Sequence, residues 1–190
     1  MRISEASILI LPGRGDSPPD HWQSRWQKKI ATATRVHQHD WENPQKEKWL
    51  AQIHSAVVAQ PRPVVLVAHS LGCIAAVWAA HGHLAAGQVA GAFLVAPPSD
   101  EMRMETPQID RAFSPVPRHK LPFPCVLVAS RNDPRADFAW SEAFASAIGA
   151  QFVDAGEAGH INVDSGFGPW PEGLMRLGTF MRTLGGKETA

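Results

Sequence analysis

Cysteine is scarce in this chain, net charge is absent, and no apolar run is long enough to cross a membrane. Only Cys73 and Cys125 occur among 190 residues, each inside an apolar stretch, which argues against a disulfide framework and fits a reducing compartment. Lys plus Arg and Asp plus Glu both number 18, for a formal net charge of +0. With a pI near 7.1, the chain offers no electrostatic footprint for phosphate backbones or anionic lipid. Neither nucleic acid nor a membrane is an expected partner. Every apolar stretch falls short of the ~18 residues that a spanning helix needs. The run Ser7–Leu11 is also too short for a signal-peptide core and ends in Pro12-Gly13, so the cytoplasm is the expected location.

What remains is globular composition, with 44% hydrophobic and 19% charged residues, in a length that buries a core as one domain over 1–190. Four short apolar runs, 8–11, 64–68, 92–96 and 126–129, are bounded by Pro, Gly, Ser or Asp and read as buried parallel strands. Segments 35–39 and 151–154, where polar and apolar residues mix, read as edge or partly covered strands. Helical spacing fills the gaps at 20–31, 45–59, 71–83, 136–148 and 171–184, the last with Pro171 near its start. Strand and helix alternate, which predicts an α/β fold: a mostly parallel sheet of about six strands, helices on both faces, and sites at the carboxyl ends of the strands. The proline-crowded stretch 97–124 breaks the regularity and reads as a surface loop or a rudimentary cap. The tail 185–190 is expected to fray.

The chemistry-bearing residues follow strands. After 64–68 comes Ala68-His69-Ser70-Leu71-Gly72 and then a strong helix, the strand, sharp turn and helix that expose a nucleophilic serine. Small residues two before and two after the serine let strand and helix approach. Ala68 replaces the first glycine of G-x-S-x-G and adds a methyl there. Alone, Ser70 also reads as a plain helix N-cap. Asp133 follows the strand 126–129 in Ser130-Arg131-Asn132-Asp133-Pro134, and His160 follows 151–154. Singly, these are an Asx-turn residue and one histidine of nine. Together, the order Ser70, Asp133, His160 is that of the α/β-hydrolase triad.

Acyl transfer also needs donors for a developing oxyanion. The Leu71 N–H at the start of the helix is one, and the loop Pro12-Gly13-Arg14-Gly15 supplies the other, from Arg14 first and Gly15 second. Trp22 and Trp26, with Trp49, Trp78 and Phe93, read first as core packing; His21 and Trp22 also read as bracing for that loop or as lining of the acyl pocket, with Trp22 and Phe93 as its apolar walls. A chain of this length leaves no room for a large lid, so a short acyl pocket is expected.

Several strings carry nothing. Pro18 stands where the third glycine of G-x-G-x-x-G would be, and Arg14-Gly15-Asp16 is a chance adhesion tripeptide. The His37/His39 and His81/His83 pairs read as surface histidines, not metal ligands. No cofactor is implied. The alternatives to an ester or amide hydrolase of small substrates are an acyltransferase with the same triad and a non-catalytic interaction protein on a hydrolase scaffold.

The segments Ile-Leu-Pro-Gly-Arg-Gly, Asp20-His21-Trp22-Gln23-Ser24-Arg25-Trp26, Ala-His-Ser-Leu-Gly-Cys, Ser-Arg-Asn-Asp-Pro and Gly-His-Ile-Asn resemble the retinoblastoma-binding protein 9-like serine hydrolases over nearly the whole chain. The resemblance implies a compact α/β-hydrolase without a large lid and maps nucleophile, acid and base onto Ser70, Asp133 and His160. The family's pocket-protein motif L-x-C-x-E has its nearest string in Leu71-Gly72-Cys73-Ile74-Ala75, which lacks the acidic residue, so that binding activity is not implied here.

Overall fold

Among the described residues, six strands run parallel in one sheet, in the spatial order Ala33–Arg35, Ser7–Leu11, Val64–His69, Val89–Val95, Cys125–Ala129 and Gln151–Asp154. The computed structural model describes residues 1–84 and 87–184; the expected fraying of 185–190 lies outside them. The strands are β1 (Ser7–Leu11), β2 (Ala33–Arg35), β3 (Val64–His69), β4 (Val89–Val95), β5 (Cys125–Ala129) and β6 (Gln151–Asp154). The helices are α1 (Trp22–Lys29), α2 (Lys46–Val58), α3 (Leu71–Gly82), α4 (Asp100–Met104), α5 (Phe138–Ile148) and α6 (Pro171–Thr183).

Burial on both faces explains the unbroken apolar runs, because a parallel sheet covered by helices has no solvent side on which to place polar residues. Leu9, Leu66, Ala68, Leu94 and Leu127 pack with α2, α3 and α5. Ile8, Ile10, Val65, Val67, Phe93 and Val128 face the opposite way, against Trp22 and Trp26 of α1 and Leu177 and Phe180 of α6. The order places β1 and β2 on one side of the switch and β3 to β6 on the other. The crevice of an open α/β sheet forms at such a switch, so the loops after β1 and β3 meet there.

Several boundaries differ from the sequence reading; β4 starts at Val89, not 92, and α5 at Phe138, not 136. The second strand covers Ala33–Arg35, not 35–39: the ladder with β1 ends as Val36 N–H donates to Ile10 O, and 37–39 are irregular. α1 starts at Trp22, because the His21 ring caps it, Nδ1 accepting from Gln23 N–H at 3.2 Å. Within 97–124 lie α4 and a 3-10 turn at Arg111–Phe113.

Candidate active site

The chain turns sharply where β3 meets α3. Ser70 takes φ 53 and ψ −128, a region costly for any residue with a Cβ. Two backbone bonds hold it there, Ser70 N–H to Val95 O at 3.0 Å and Cys73 N–H to Ser70 O at 2.9 Å. The turn packs onto the end of β1 so tightly that a Cβ on Gly72 would lie 2.2 Å from Leu11 O. Gly72 is therefore obligatory, whereas Ala68 fits, fully buried on the α3 side of β3.

Three residues singled out from the sequence come together. Ser70 Oγ lies 2.9 Å from His160 Nε2, and His160 Nδ1 lies 2.9 and 3.0 Å from the two Asp133 oxygens. The side chains of His160 and Asp133 are 12% and 4% exposed. A carboxylate only accepts at neutral pH, so Nδ1 carries the proton and Nε2 is left to accept from the serine hydroxyl. Asp133 Oδ1 is further fixed by the Arg135 N–H at 2.8 Å.

The acid and base loops are laced together by residues the sequence reading passed over. Ser130 Oγ accepts from Ala158 N–H and donates to Asn132 Oδ1, each at 2.8 Å. Asn132 Oδ1 also accepts from Gly159 N–H at 2.7 Å. Gly159 has φ +55, with Ser165 Oγ only 2.4 Å from where a Cβ would stand. That close approach lets Ser165 Oγ accept from His160 N–H at 3.1 Å. A buried Gln23 ties the strand ends beneath, Nε2 donating to Leu11 O and Val67 O at 3.2 and 3.1 Å while Oε1 accepts from Ser17. A glutamine between Trp22 and Trp26 on the inward face of α1 was the one available signal.

Of the expected oxyanion donors, the Leu71 and Arg14 N–H groups have no acceptor among the described residues. Gly15 is a correction: its N–H donates to Trp41 O at 2.9 Å and is not free to turn toward the serine. Gly13 makes the closest approach, where a Cβ would stand 2.8 Å from Ser70 Cβ and 3.3 Å from Leu71 N.

A cavity of about 250 Å³ opens at Ser70 and His160, with Pro98, Met102, Thr106 and Ile109 on its apolar side. The segment around α4 thus forms a wall of the site. His21 also lines it, but Trp22 and Phe93 do not. Both are fully buried beneath the site. Trp22 braces the base loop instead, Nε1 donating to Ile161 O at 2.9 Å. His21, His69 and His160 form a row of mutually tilted rings, with centroids 4.9 Å apart at each step and planes 56° and 53° apart. Burial pushes His21 down to about 4 and His69 well below the ordinary histidine value, so both stay neutral. Cys73 and Cys125 are buried free thiols pushed up by desolvation. No group of three or more His, Cys, Asp or Glu that could hold a metal ion occurs among the described residues. Nor is any helix there long and apolar enough to cross a membrane.

Residues 8–179 match the family model described as serine hydrolase. The chain belongs to the serine hydrolase family. It is similar to a YdeN-like hydrolase from Pectobacterium atrosepticum, 35% identical over 96% of this chain and 94% of that one, with a TM-score of 0.85. The ydeN gene product of B. subtilis is 21% identical over 94% and 99% of the two chains, with a TM-score of 0.76. Esterase 2 of Thermogutta terrifontis, at 17% identity over 98% of this chain and 85% of that one, shares the fold with a TM-score of 0.70. None of the curated proteins matches the chain. For a serine hydrolase, the loops after β1, β3, β5 and β6 stand at the carboxyl ends of the strands, where sites of such sheets lie.

Proposed function

We propose that this serine hydrolase cleaves a small ester or amide through an acyl-enzyme on Ser70, and that within its family it is one of the retinoblastoma-binding protein 9-like members it resembles in sequence. The observation that carries the mechanism is the 2.9 Å contact of Ser70 Oγ with His160 Nε2, backed by Asp133 on the far nitrogen. His160 takes the Ser70 proton as Oγ attacks the carbonyl carbon. Asp133 holds the tautomer and stabilises the imidazolium that forms. The oxyanion takes hydrogen bonds from the Leu71 and Arg14 N–H groups, which have no other acceptor among the described residues. His160 then gives its proton to the leaving alcohol or amine, and water activated by the same imidazole releases the acid. No cofactor enters the scheme.

An acyltransferase would replace that water with another acceptor at the same residues. A non-catalytic scaffold has no use for a strained serine aligned with a buried base and acid. Ser70→Ala tests the reading. The variant should keep the fold, lose all labelling by a fluorophosphonate probe and lose hydrolysis of p-nitrophenyl butyrate. Stoichiometric labelling of the variant would place the nucleophile elsewhere. A wild-type protein that neither labels nor hydrolyses any small ester would favour the scaffold.

A further inference from the structure

His69 immediately precedes the nucleophile, yet nothing in the scheme above uses it. Its ring is buried between His21 and His160. Its Nε2 lies 2.9 Å from the His160 carbonyl oxygen, across 91 positions of sequence. A carbonyl only accepts, so Nε2 carries the proton and donates. Burial holds the ring well below the ordinary histidine value, so it is neutral near pH 7, and the carbonyl partner selects the Nε2–H tautomer.

We infer that His69 is a positioning residue for the base: its Nε2–H clamps the backbone of His160 to the strand that carries Ser70, and so holds Nε2 of His160 at proton-transfer distance from Oγ. The inference rests on the triad reading proposed above. The other bonds of the base loop lead elsewhere. His160 N–H goes to Ser165 within the same loop, Gly159 N–H and Ala158 N–H go to the acid loop, and Ile161 O goes to Trp22 on α1. Among the described residues, only the His69 bond joins the main chain of the base directly to the end of β3. Ile161, next along the chain, has φ 49, an unfavourable conformation for a β-branched residue. The backbone at the base is therefore not at its intrinsic minimum, and without the clamp none of the remaining bonds ties its main chain to the strand that carries Ser70. A misplacement of about 1 Å costs on the order of 10²-fold in rate.

The distinguishing test is a set of substitutions that keep or move the donor. Gln places its Nε2 close to where the histidine Nε2 stands, Asn sets its amide nearer the Nδ1 position, and Leu has no donor. With p-nitrophenyl butyrate, His69→Leu and His69→Asn should each lose roughly 30- to 100-fold in kcat with KM within about twofold of wild type. His69→Gln should recover to within about fivefold. The rate of fluorophosphonate labelling should fall in step with kcat, since it depends on the same proton transfer. If His69→Leu fails to fold, the Asn and Gln pair still decides the matter, both being polar and similar in bulk. Wild-type kcat in the Leu or Asn variant, a Gln variant as slow as Asn, or a loss confined to KM would each overturn the inference. Failure of the underlying hydrolase reading would look different, because wild-type protein would then neither label nor turn over.

Discussion

Gly13 offers a perturbation of the oxyanion site that leaves every polar group of the site in the sequence. An alanine there would set its Cβ 2.8 Å from Ser70 Cβ, 3.2 Å from Ser70 Oγ and 3.3 Å from Leu71 N. Ordinary contact begins at 3.4 Å, so the loop after β1 and the serine must part by about half an ångström. On the proposed mechanism the methyl also crowds the Leu71 N–H, 3.3 Å away, where the substrate oxygen would be bound. Losing one preorganised oxyanion donor costs about 10²- to 10³-fold, or about 2.7–4 kcal/mol in transition-state stabilisation. Gly13→Ala should therefore lower kcat/KM for p-nitrophenyl butyrate by that factor, chiefly through kcat, and move Tm by only a few degrees. Gly72→Ala is the contrast: its Cβ would meet two backbone oxygens, Leu11 O at 2.2 Å and Pro12 O at 2.6 Å. Those atoms belong to or adjoin a central strand and cannot swing aside, so that variant should lose folding yield and Tm first. Steady-state kinetics with thermal melts on both variants check the pair. A Gly13→Ala enzyme within threefold of wild type would refute the placement of the oxyanion site between these loops.

Two further outcomes follow from the same site. His21 is pushed down to about 4 from an ordinary value of 6.5, chiefly by burial and then by Arg35 and His160. A depressed histidine value means that the unfolded chain binds the proton more readily. The stability it carries is complete above pH 6.5 and is lost as pH falls toward 4, by up to roughly 3 kcal/mol. His21→Asn keeps an N-cap acceptor and should flatten that loss in denaturant melts between pH 7.5 and 4.5; an unchanged slope would assign the acid sensitivity elsewhere. The cavity of about 250 Å³ beside Met102, Thr106 and Ile109 favours short acyl chains. Each added CH₂ is worth about 0.8 kcal/mol only until the space is full. Esters of roughly two to six carbons should therefore exceed a twelve-carbon ester in kcat/KM at monomeric concentrations, and the reverse order would mean that the α4 wall yields.

The residues that the structure hydrogen-bonds into one chain were legible because local sequence places each of them. Ser70, Asp133 and His160 each follow a strand bounded by turn residues, and parallel topology sends all strand ends to one side of the sheet. Which face a strand residue takes was not legible. Phe93 lies in a run buried on both sides, where no polar alternation marks the site face; its reading as core packing holds, against α1 and α6, and its reading as a cavity wall does not. Trp22 likewise packs in the core as first expected; only its alternative place on the pocket wall is not found. The Gly15 N–H was a reasonable donor by glycine geometry alone. Its acceptor, Trp41 O, comes from 26 positions away, and no local pattern encodes such a contact. The short edge strand β2 was misplaced by two residues because few side chains contribute to its pairing.

Asp16, Ser70, Ala96 and Ile161 are the residues other than glycine with positive φ among those described. They lie on the loops after β1, β3, β4 and β6; Asp16 and Ser70 line the cavity, and Ala96 and Ile161 are buried. Unfavourable backbone is thus concentrated on one end of a sheet whose interior is otherwise conventional. Each such residue lowers stability by about 1–3 kcal/mol relative to a relaxed turn. Mutations that relax these turns raise the melting temperature while dismantling the alignment of serine, histidine and aspartate. A lineage of this protein selected for heat resistance without selection for turnover would therefore lose its chemistry before its fold, and its most thermostable members would be its least active.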